Sequence, residues 1–420
     1  MKQSIGLVVL QIISIIVGFL ITFYIAGVLS AKVYAVLGVY SVITSSVSVF
    51  SNVGLETYAG RNVLFWNNSG SLRRTRMIIT QAIVTRTVMA VMLSILLLGY
   101  AFGMSKYKFD GMYFSLFCGM CFCSIFQALN DSLCLLLKAF NKYLLAALST
   151  YSINVFGRVL ALILFIKFGF YAYVYCVLVL PIIVSIPLVI IMWKWFDFKY
   201  IMHFSSIKNN ILQTKFYTIS AYLNYGAKSL DVFLVSIFLK PEILATYSLV
   251  KRMGSIIDGF LSNLFDPLLQ KLVAYKRDID EWRLRFKTIL KLQKIIFVLA
   301  ILGCFLAFYF VDYFIKIMNL THYPHIKIYL LCMLVAEVLL ILYKVKYMVI
   351  MLFYSPGQIF VTYIITTIAL LGSFVIIQFF PEKYLYAYMI VGYIFVCFYT
   401  FFRVPSISCI EKNLIENLNN

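Results

Sequence analysis

Long apolar runs, separated by short polar segments, repeat along the whole chain. Each run is 22 to 27 residues long, and a helix needs about 20 apolar residues to cross a bilayer. The pattern therefore predicts an all-α polytopic membrane protein. The predicted spans cover residues 5–29, 33–55, 77–102, 111–137, 143–166, 170–193, 216–239, 244–270, 294–318, 327–352, 358–380 and 384–405.

The twelve predicted spans divide evenly into two halves near residue 205. A short internal echo favours duplication, because Tyr40-Ser41-Val and Tyr247-Ser248-Leu each open the second helix of a hairpin. Substrate sites of transporters built from such repeats lie between the repeats, so we expect a central cavity. The predicted organisation is an N-terminal six-helix bundle at 1–195, a cytoplasmic linker at 196–215, a C-terminal six-helix bundle at 216–409 and a cytoplasmic tail at 410–420.

Composition supports this class and sets the orientation. Hydrophobic residues make up 63% of the chain and charged residues 12%, whereas soluble domains are about 45–50% apolar and 25% charged. A net charge of +20 by itself suggests a nucleic-acid partner, but the positions of the basic residues along the chain indicate a membrane orientation instead. Of the 36 basic residues, 21 fall on the side of the termini and eight on the opposite side. This bias predicts cytoplasmic termini and no nucleic-acid partner.

Polar residues occupy one face of the seventh and of the eighth predicted span. They are Ser220, Asn224, Lys228 and Asp231 in the seventh, and Lys251, Ser255, Asp258 and Ser262 in the eighth, with Arg252 adjacent. Spacings of three and four residues place each set on a single helix face. Lys228 lies about twelve residues, roughly 18 Å, from either charged end of its span.

Basic residues outnumber acidic residues within the predicted spans. The bases are Arg86, Arg158, Lys228, Lys251, Arg252, Lys344 and Lys346, and the acids are Asp131, Asp231, Asp258 and Glu337. Three unmatched charges in a dry membrane interior would cost roughly 9 kcal/mol. A water-filled cationic cavity removes most of that cost, and it attracts anions. The alternative for any single charge is an interhelical tie or a side chain that reaches the inner surface.

Motifs for enzyme chemistry are absent from the sequence. There is no Walker A motif, no Gly-rich dinucleotide loop, no His-Glu-x-x-His and no Ser/His/Asp set. Asp278-Ile-Asp280 matches a metal-binding transferase motif, but its loop is too short for a transferase domain. Eight of the nine cysteines lie within apolar runs and are interpreted as small hydrophobic residues. The sequence thus predicts neither an enzyme nor a cofactor.

Two passages resemble a known family of membrane proteins. Residues 27–61 contain an outer loop, a Tyr-Ser-aliphatic start to the second span, then Gly54-Leu and Arg61. Residues 230–252 contain Asp231 and, sixteen residues on, Tyr247-Ser. Together they resemble the polysaccharide exporters of the multidrug/oligosaccharidyl-lipid/polysaccharide superfamily, and in particular the O-antigen flippases. The length and the twelve spans agree with that family over the whole chain.

The resemblance implies a V-shaped, MATE-like transporter in a bacterial inner membrane. Its substrate would be an oligosaccharide on undecaprenyl diphosphate, and it would function in lipopolysaccharide and O-antigen biosynthesis. Its further partners would be membrane lipids and the polysaccharide polymerase and chain-length proteins. A diphosphate needs cations during passage, because it carries about two to three negative charges. The candidate substrate-binding residues are Lys228, Lys251, Arg252, Arg158 and Arg86, and the candidate charge-pairing or ion-coupling residues are Asp231, Asp258, Glu337 and Asp131.

Three competing interpretations remain open. A drug or cation exporter of the same superfamily should carry a cavity rich in acids and aromatics, whereas the predicted interior is net positive. An O-antigen polymerase or ligase should carry a long outer loop, and no predicted outer loop exceeds about a dozen residues. A structural scaffold would not need the unmatched charges.

Overall fold

The structure is a computed structural model of the 420-residue chain. The residues it describes are 2–52, 59, 63, 66, 70–140, 142–200, 214–215, 218–220, 222–223, 225–226, 229–274, 279–354 and 356–404.

Thirteen α-helices make up most of the described chain. They are α1 (Lys2–Val28), α2 (Ala31–Phe50), α3 (Leu72–Lys108), α4 (Phe114–Ala139), α5 (Tyr143–Tyr151), α6 (Arg158–Phe168), α7 (Phe170–Met192), α8 (Leu230–Phe238), α9 (Pro241–Ala274), α10 (Ile279–Ile317), α11 (Ile326–Phe353), α12 (Pro356–Ile377) and α13 (Tyr388–Arg403). A π-helix at Ser152–Gly157 joins α5 to α6, so these three pieces form one span.

The predicted fold class is confirmed. Within the described residues, nine helical segments are long and apolar enough to cross a membrane. Helix α9 falls in the predicted eighth span but is not among the nine, because it carries the charged residues Glu242, Lys251, Arg252 and Asp258. The predicted seventh span is described only in part, and its second half is α8.

Helix α10 has one part that packs against protein and another part that is exposed on the surface of the protein. It has 39 residues, which corresponds to about 58 Å. Only 6% of the residues in its most apolar stretch are buried in the protein. Leu302 and Phe305 are among its exposed side chains. Near the other end, Trp282 and Phe286 are fully buried and stack on each other. The helix is therefore packed against protein at its beginning and faces lipid along its membrane part.

The chain forms two compact units. The first comprises Met1–Ile25, Lys32–Tyr225 and Ser236–Pro241, and the second comprises Ala26–Ala31, Gly226–Val235 and Glu242–Asn420. In the first unit, α3, α4 and α7 enclose a core around Ile79, Leu136 and Leu188. In the second unit, α9, α10 and α11 enclose a core around Phe265, Trp282 and Val349. The boundaries 195 and 216 of the sequence-based organisation remain predictions.

Gly27 in the second unit lies close to the backbone at Met318. A Cβ at Gly27 would lie 2.3 Å from the carbonyl oxygen of Met318. The Asn319 side-chain amide donates a hydrogen bond to the Gly27 carbonyl at 2.8 Å, and the Tyr323 hydroxyl donates to the preceding carbonyl at 3.0 Å. The obstructing atom is backbone, so it cannot move aside in the way a side chain can.

We expect Gly27→Ala to destabilise the protein by about 1–3 kcal/mol, because the added methyl group overpacks against a fixed carbonyl. Gly99→Ala is the matched control, since a Cβ at Gly99 in α3 meets nothing within 4 Å. Thermal unfolding in detergent measures the difference. Equal unfolding midpoints for the two variants would contradict the close approach at Gly27.

Candidate functional site

A single buried carboxylate joins three helices of the second unit. Asp231 lies in the first turn of α8 and is 2% exposed. Its Oδ2 accepts hydrogen bonds from the hydroxyls of Tyr247 on α9 and Tyr388 on α13, and it forms an ion pair with the Nζ of Lys251 on α9. Among the described residues, its Oδ1 has no hydrogen-bond partner. The arrangement compensates the Lys251 charge inside the membrane part of the protein.

The face of α9 that carries Lys251 continues toward a second ion pair. Asp258 lies seven residues after Lys251 and pairs with the Nζ of Lys344 on α11. The side chain of Lys344 is buried, whereas sequence reasoning allowed it to reach the inner surface. Asp258 therefore holds a cation from a neighbouring helix, in addition to any role toward Arg252.

Glu337 on α11 lies beside the same face of α9. It is 5% exposed, and a Cβ at Gly254 would lie 2.7 Å from its Oε1. Gly254 follows Lys251 by three residues, so it belongs to the α9 face that also presents Asp258. From Tyr247 to Asp258 this face extends about 16 Å, and three carboxylates lie along it.

A third ion pair lies in the first unit. The Arg86 guanidinium on α3 is 3.9 Å from the Asp131 carboxylate on α4 and donates a hydrogen bond to the Ser48 carbonyl at 3.0 Å. The Ser48 hydroxyl and the Gln127 amide donate to Asp131 at 2.8 and 3.2 Å. Arg86 thus ties α2, α3 and α4 together, and its role in substrate binding stays a prediction.

The remaining three candidates have different positions. Arg158 is half-buried at the start of α6, and its Nη1 would lie 2.8 Å from a Cβ at Gly18. Arg252 is half-buried on α9, directly after Lys251. Lys228 lies outside the described residues. In the part of the chain that the structure describes, no group of three or more His, Cys, Asp or Glu side chains could hold a metal ion.

Four features of these clusters were missed by sequence reasoning. They are the hydroxyl of Tyr388, the partner Lys344 for Asp258, and the two glycines Gly18 and Gly254. Only Gly254 left a signal, because it falls in register with Lys251 on a polar helix face. The other three depend on contacts between helices far apart in the chain.

The helical architecture of the described residues is similar to the MATE fold of solved membrane-protein structures. The lipid II flippase MurJ in an inward closed conformation matches with a TM-score of 0.72 at 14% identity, covering 99% of this chain and 91% of that chain. An inward-facing multidrug resistance MATE family transporter of the MOP superfamily matches with a TM-score of 0.67 at 14% identity, over 96% and 99% of the two chains. The Vibrio cholerae MATE transporter VcmN in the bent form gives a TM-score of 0.61 at 13% identity, over 99% of this chain and 96% of that chain.

The sequence places the chain more narrowly than the fold does. The family model for polysaccharide biosynthesis proteins matches residues 1–273. The chain therefore belongs to the polysaccharide biosynthesis protein family, which confirms the resemblance noted in the sequence. No curated protein sequence matches the chain at a significant level.

We expect Asp231→Asn to destabilise the protein by about 3–5 kcal/mol, because it leaves the Lys251 ammonium buried without its counter-charge. The double variant Asp231→Asn/Lys251→Met should recover most of the loss. Asp312→Asn is the matched control, since Asp312 forms an exposed pair with Lys327 at 2.7 Å and such pairs contribute about 0–1 kcal/mol.

Unfolding free energies in mixed detergent micelles measure these effects. Equal losses for Asp231→Asn and Asp312→Asn would show that the buried pair does not stabilise the second unit.

Proposed function

We propose that this protein moves a lipid-linked oligosaccharide from the cytoplasmic to the outer leaflet of a bacterial inner membrane. The substrate is an O-antigen or related polysaccharide repeat unit on undecaprenyl diphosphate. The observation that carries this proposal is the presence of two half-buried arginines, Arg158 and Arg252, within predicted membrane spans. Membership of the polysaccharide biosynthesis family and a fold similar to that of a lipid II flippase support the lipid-linked substrate.

The chemistry of the headgroup explains the choice of residues. Guanidinium groups bind two phosphate oxygens at once, and they stay charged in any environment. In a water-poor site each such contact is stronger than in solution, because the effective dielectric constant is lower. Arg158 and Arg252 are therefore each suited to bind phosphate oxygens, while sugar hydroxyls pass small polar side chains and the lipid tail stays in the bilayer.

The ion pair with Asp231 lowers the free-energy cost of keeping the Lys251 ammonium within the membrane part of the protein. An ammonium held alone in the membrane interior costs on the order of 3 kcal/mol. Asp231 compensates that charge while no substrate is present. When a diphosphate arrives, its oxygens compete with the carboxylate for Lys251. Asp258 holds Lys344 in the same manner.

The transport cycle needs no covalent chemistry by this chain. Access to the cationic residues alternates between the two faces of the membrane, and the substrate leaves unchanged. Polysaccharide polymerase and chain-length proteins then act on the translocated unit. Lys228 completes the set of substrate cations, and the carboxylates Asp131 and Glu337 are available for ion coupling.

A drug or cation exporter is the alternative that the fold allows, since multidrug MATE transporters share it. The basic residues favour an anionic substrate instead. The half-buried guanidinium groups of Arg158 and of Arg252 would each repel a cationic drug, because like charges in a low-dielectric site repel.

We expect Lys228→Ala and Arg252→Ala to insert normally in cells that lack their own flippase. Each should lower surface polysaccharide at least about tenfold, because each removes one charge-assisted contact with the substrate. Lys383→Ala, at an exposed position before α13, should behave as wild type. Immunoblots of the membrane fraction and of surface polysaccharide give both quantities. Normal surface polysaccharide in both test variants would refute a cationic route.

Orientation provides a separate test. Both termini should lie in the cytoplasm, because basic residues are concentrated on their side. A fluorescent protein fused after residue 420 should therefore fluoresce, and a periplasm-dependent phosphatase at the same place should be inactive. The reverse pattern would show that the orientation assigned from the basic residues is wrong.

A further inference from the structure

Arg158 and Gly18 meet at the same depth of the first unit. Gly18 lies ten residues before the end of α1 at Val28, and Arg158 lies ten residues before the end of α6 at Phe168. Ten residues correspond to about 15 Å of helix, which is half of the roughly 30 Å hydrocarbon core. The guanidinium therefore lies near the middle of the membrane, against the backbone of α1.

The missing side chain of Gly18 makes the contact possible. A Cβ at this position would lie 2.8 Å from the Arg158 Nη1 and 4.0 Å from its Cζ. The first distance is too short for any real Cβ, so every other residue at position 18 would displace the guanidinium. The Gly18 carbonyl accepts a hydrogen bond from the hydroxyl of Thr22 at 2.7 Å, which fixes the local backbone.

The π-helix sets the other side of the contact. It ends at Gly157, directly before Arg158, and a wide turn inside a helix redirects the side chains that follow it. A Cβ at Gly157 would lie 2.3 Å from the Leu180 Cδ1 and 3.1 Å from the Ser152 carbonyl oxygen. The absence of that Cβ lets the wide turn pack closely on α7, so two glycines fix the position from which Arg158 extends.

We propose that Gly18 is a positioning residue that holds the Arg158 guanidinium in place for diphosphate binding. The inference rests on the proposed function for the identity of the ligand. A free arginine side chain carries about 2 kcal/mol of rotamer entropy, and part of it is lost whenever the side chain binds. The close fit of the guanidinium against Gly18 of α1 restricts that freedom before the ligand arrives, and preorganisation of this kind increases affinity. The geometry matters most for a diphosphate, because its oxygens accept two parallel N–H donors.

Gly18→Ala separates positioning from folding. The atom that its methyl group would meet is the end of a flexible side chain, whereas Gly27 meets a carbonyl of the backbone. The variant should therefore keep the wild-type unfolding midpoint while its guanidinium is displaced. Gly103→Ala is the matched control, because a Cβ at Gly103 in α3 meets nothing within 4 Å.

The test measures binding of undecaprenyl diphosphate and undecaprenyl monophosphate to the full-length protein in detergent micelles. We expect Gly18→Ala to weaken diphosphate binding about tenfold, as Arg158→Ala does, and to change monophosphate binding less, because one phosphate offers fewer oxygens to an oriented guanidinium. Gly103→Ala should bind both lipids like wild type. The double variant Gly18→Ala/Arg158→Ala should be no weaker than Arg158→Ala alone, since both changes remove the same interaction.

Two results with the Gly18 variants would overturn the inference. One is wild-type diphosphate binding by Gly18→Ala, and the other is additive losses in the double variant. Wild-type binding by Arg158→Ala would also overturn it, but would leave the proposed function standing if the wild-type protein translocates the lipid in proteoliposomes. Failure of the wild-type protein to bind or translocate undecaprenyl-diphosphate lipids would refute the proposed function itself.

Discussion

A charge inside the membrane must be compensated by the protein, because hydrocarbon offers no other partner. Asp231, which is buried in the second unit, meets this demand for Lys251. One of its oxygens receives two tyrosine hydroxyls and the Lys251 ammonium. These contacts come from α9 and α13, while the carboxylate belongs to α8, so electrostatic compensation also fixes the packing of three helices. The pairs Asp258–Lys344 and Arg86–Asp131 repeat the principle on a smaller scale.

Glycine has a recurring role beside these charges. Gly254 leaves room for the Glu337 carboxyl group, and Gly18 leaves room for the Arg158 guanidinium. In both cases a charged end group lies against the backbone of a neighbouring helix instead of against an apolar side chain. Close approach of helices at glycine is general in membrane proteins. Here the space is taken by the end group of an ionisable side chain, so each glycine makes room for that group as well as for close packing.

The apolar runs were sufficient to predict the spans and the fold class, because the bilayer requires a minimum length of apolar helix. Helical spacing also predicted correctly that Lys251 and Asp258 share a face of α9. Sequence could not supply the partner of Asp258, since Lys344 is 86 positions away and helix order in space is not encoded locally. The π-helix before Arg158 could not be predicted from the sequence either, because residues 152–157 lie within a predicted span. The role of Lys228 in substrate binding, which its position in the sequence suggests most clearly, remains a prediction.

Helix α10 has a consequence for how this protein can diverge. Along its membrane part, few side chains are buried in the protein, so one apolar residue there can replace another with little effect. Around Trp282 and Phe286 each side chain fills a closed space, and replacement leaves a cavity. A single helix thus contains one segment whose sequence can vary during evolution and one segment whose sequence is constrained. A fold built in this way can be kept while much of its sequence changes.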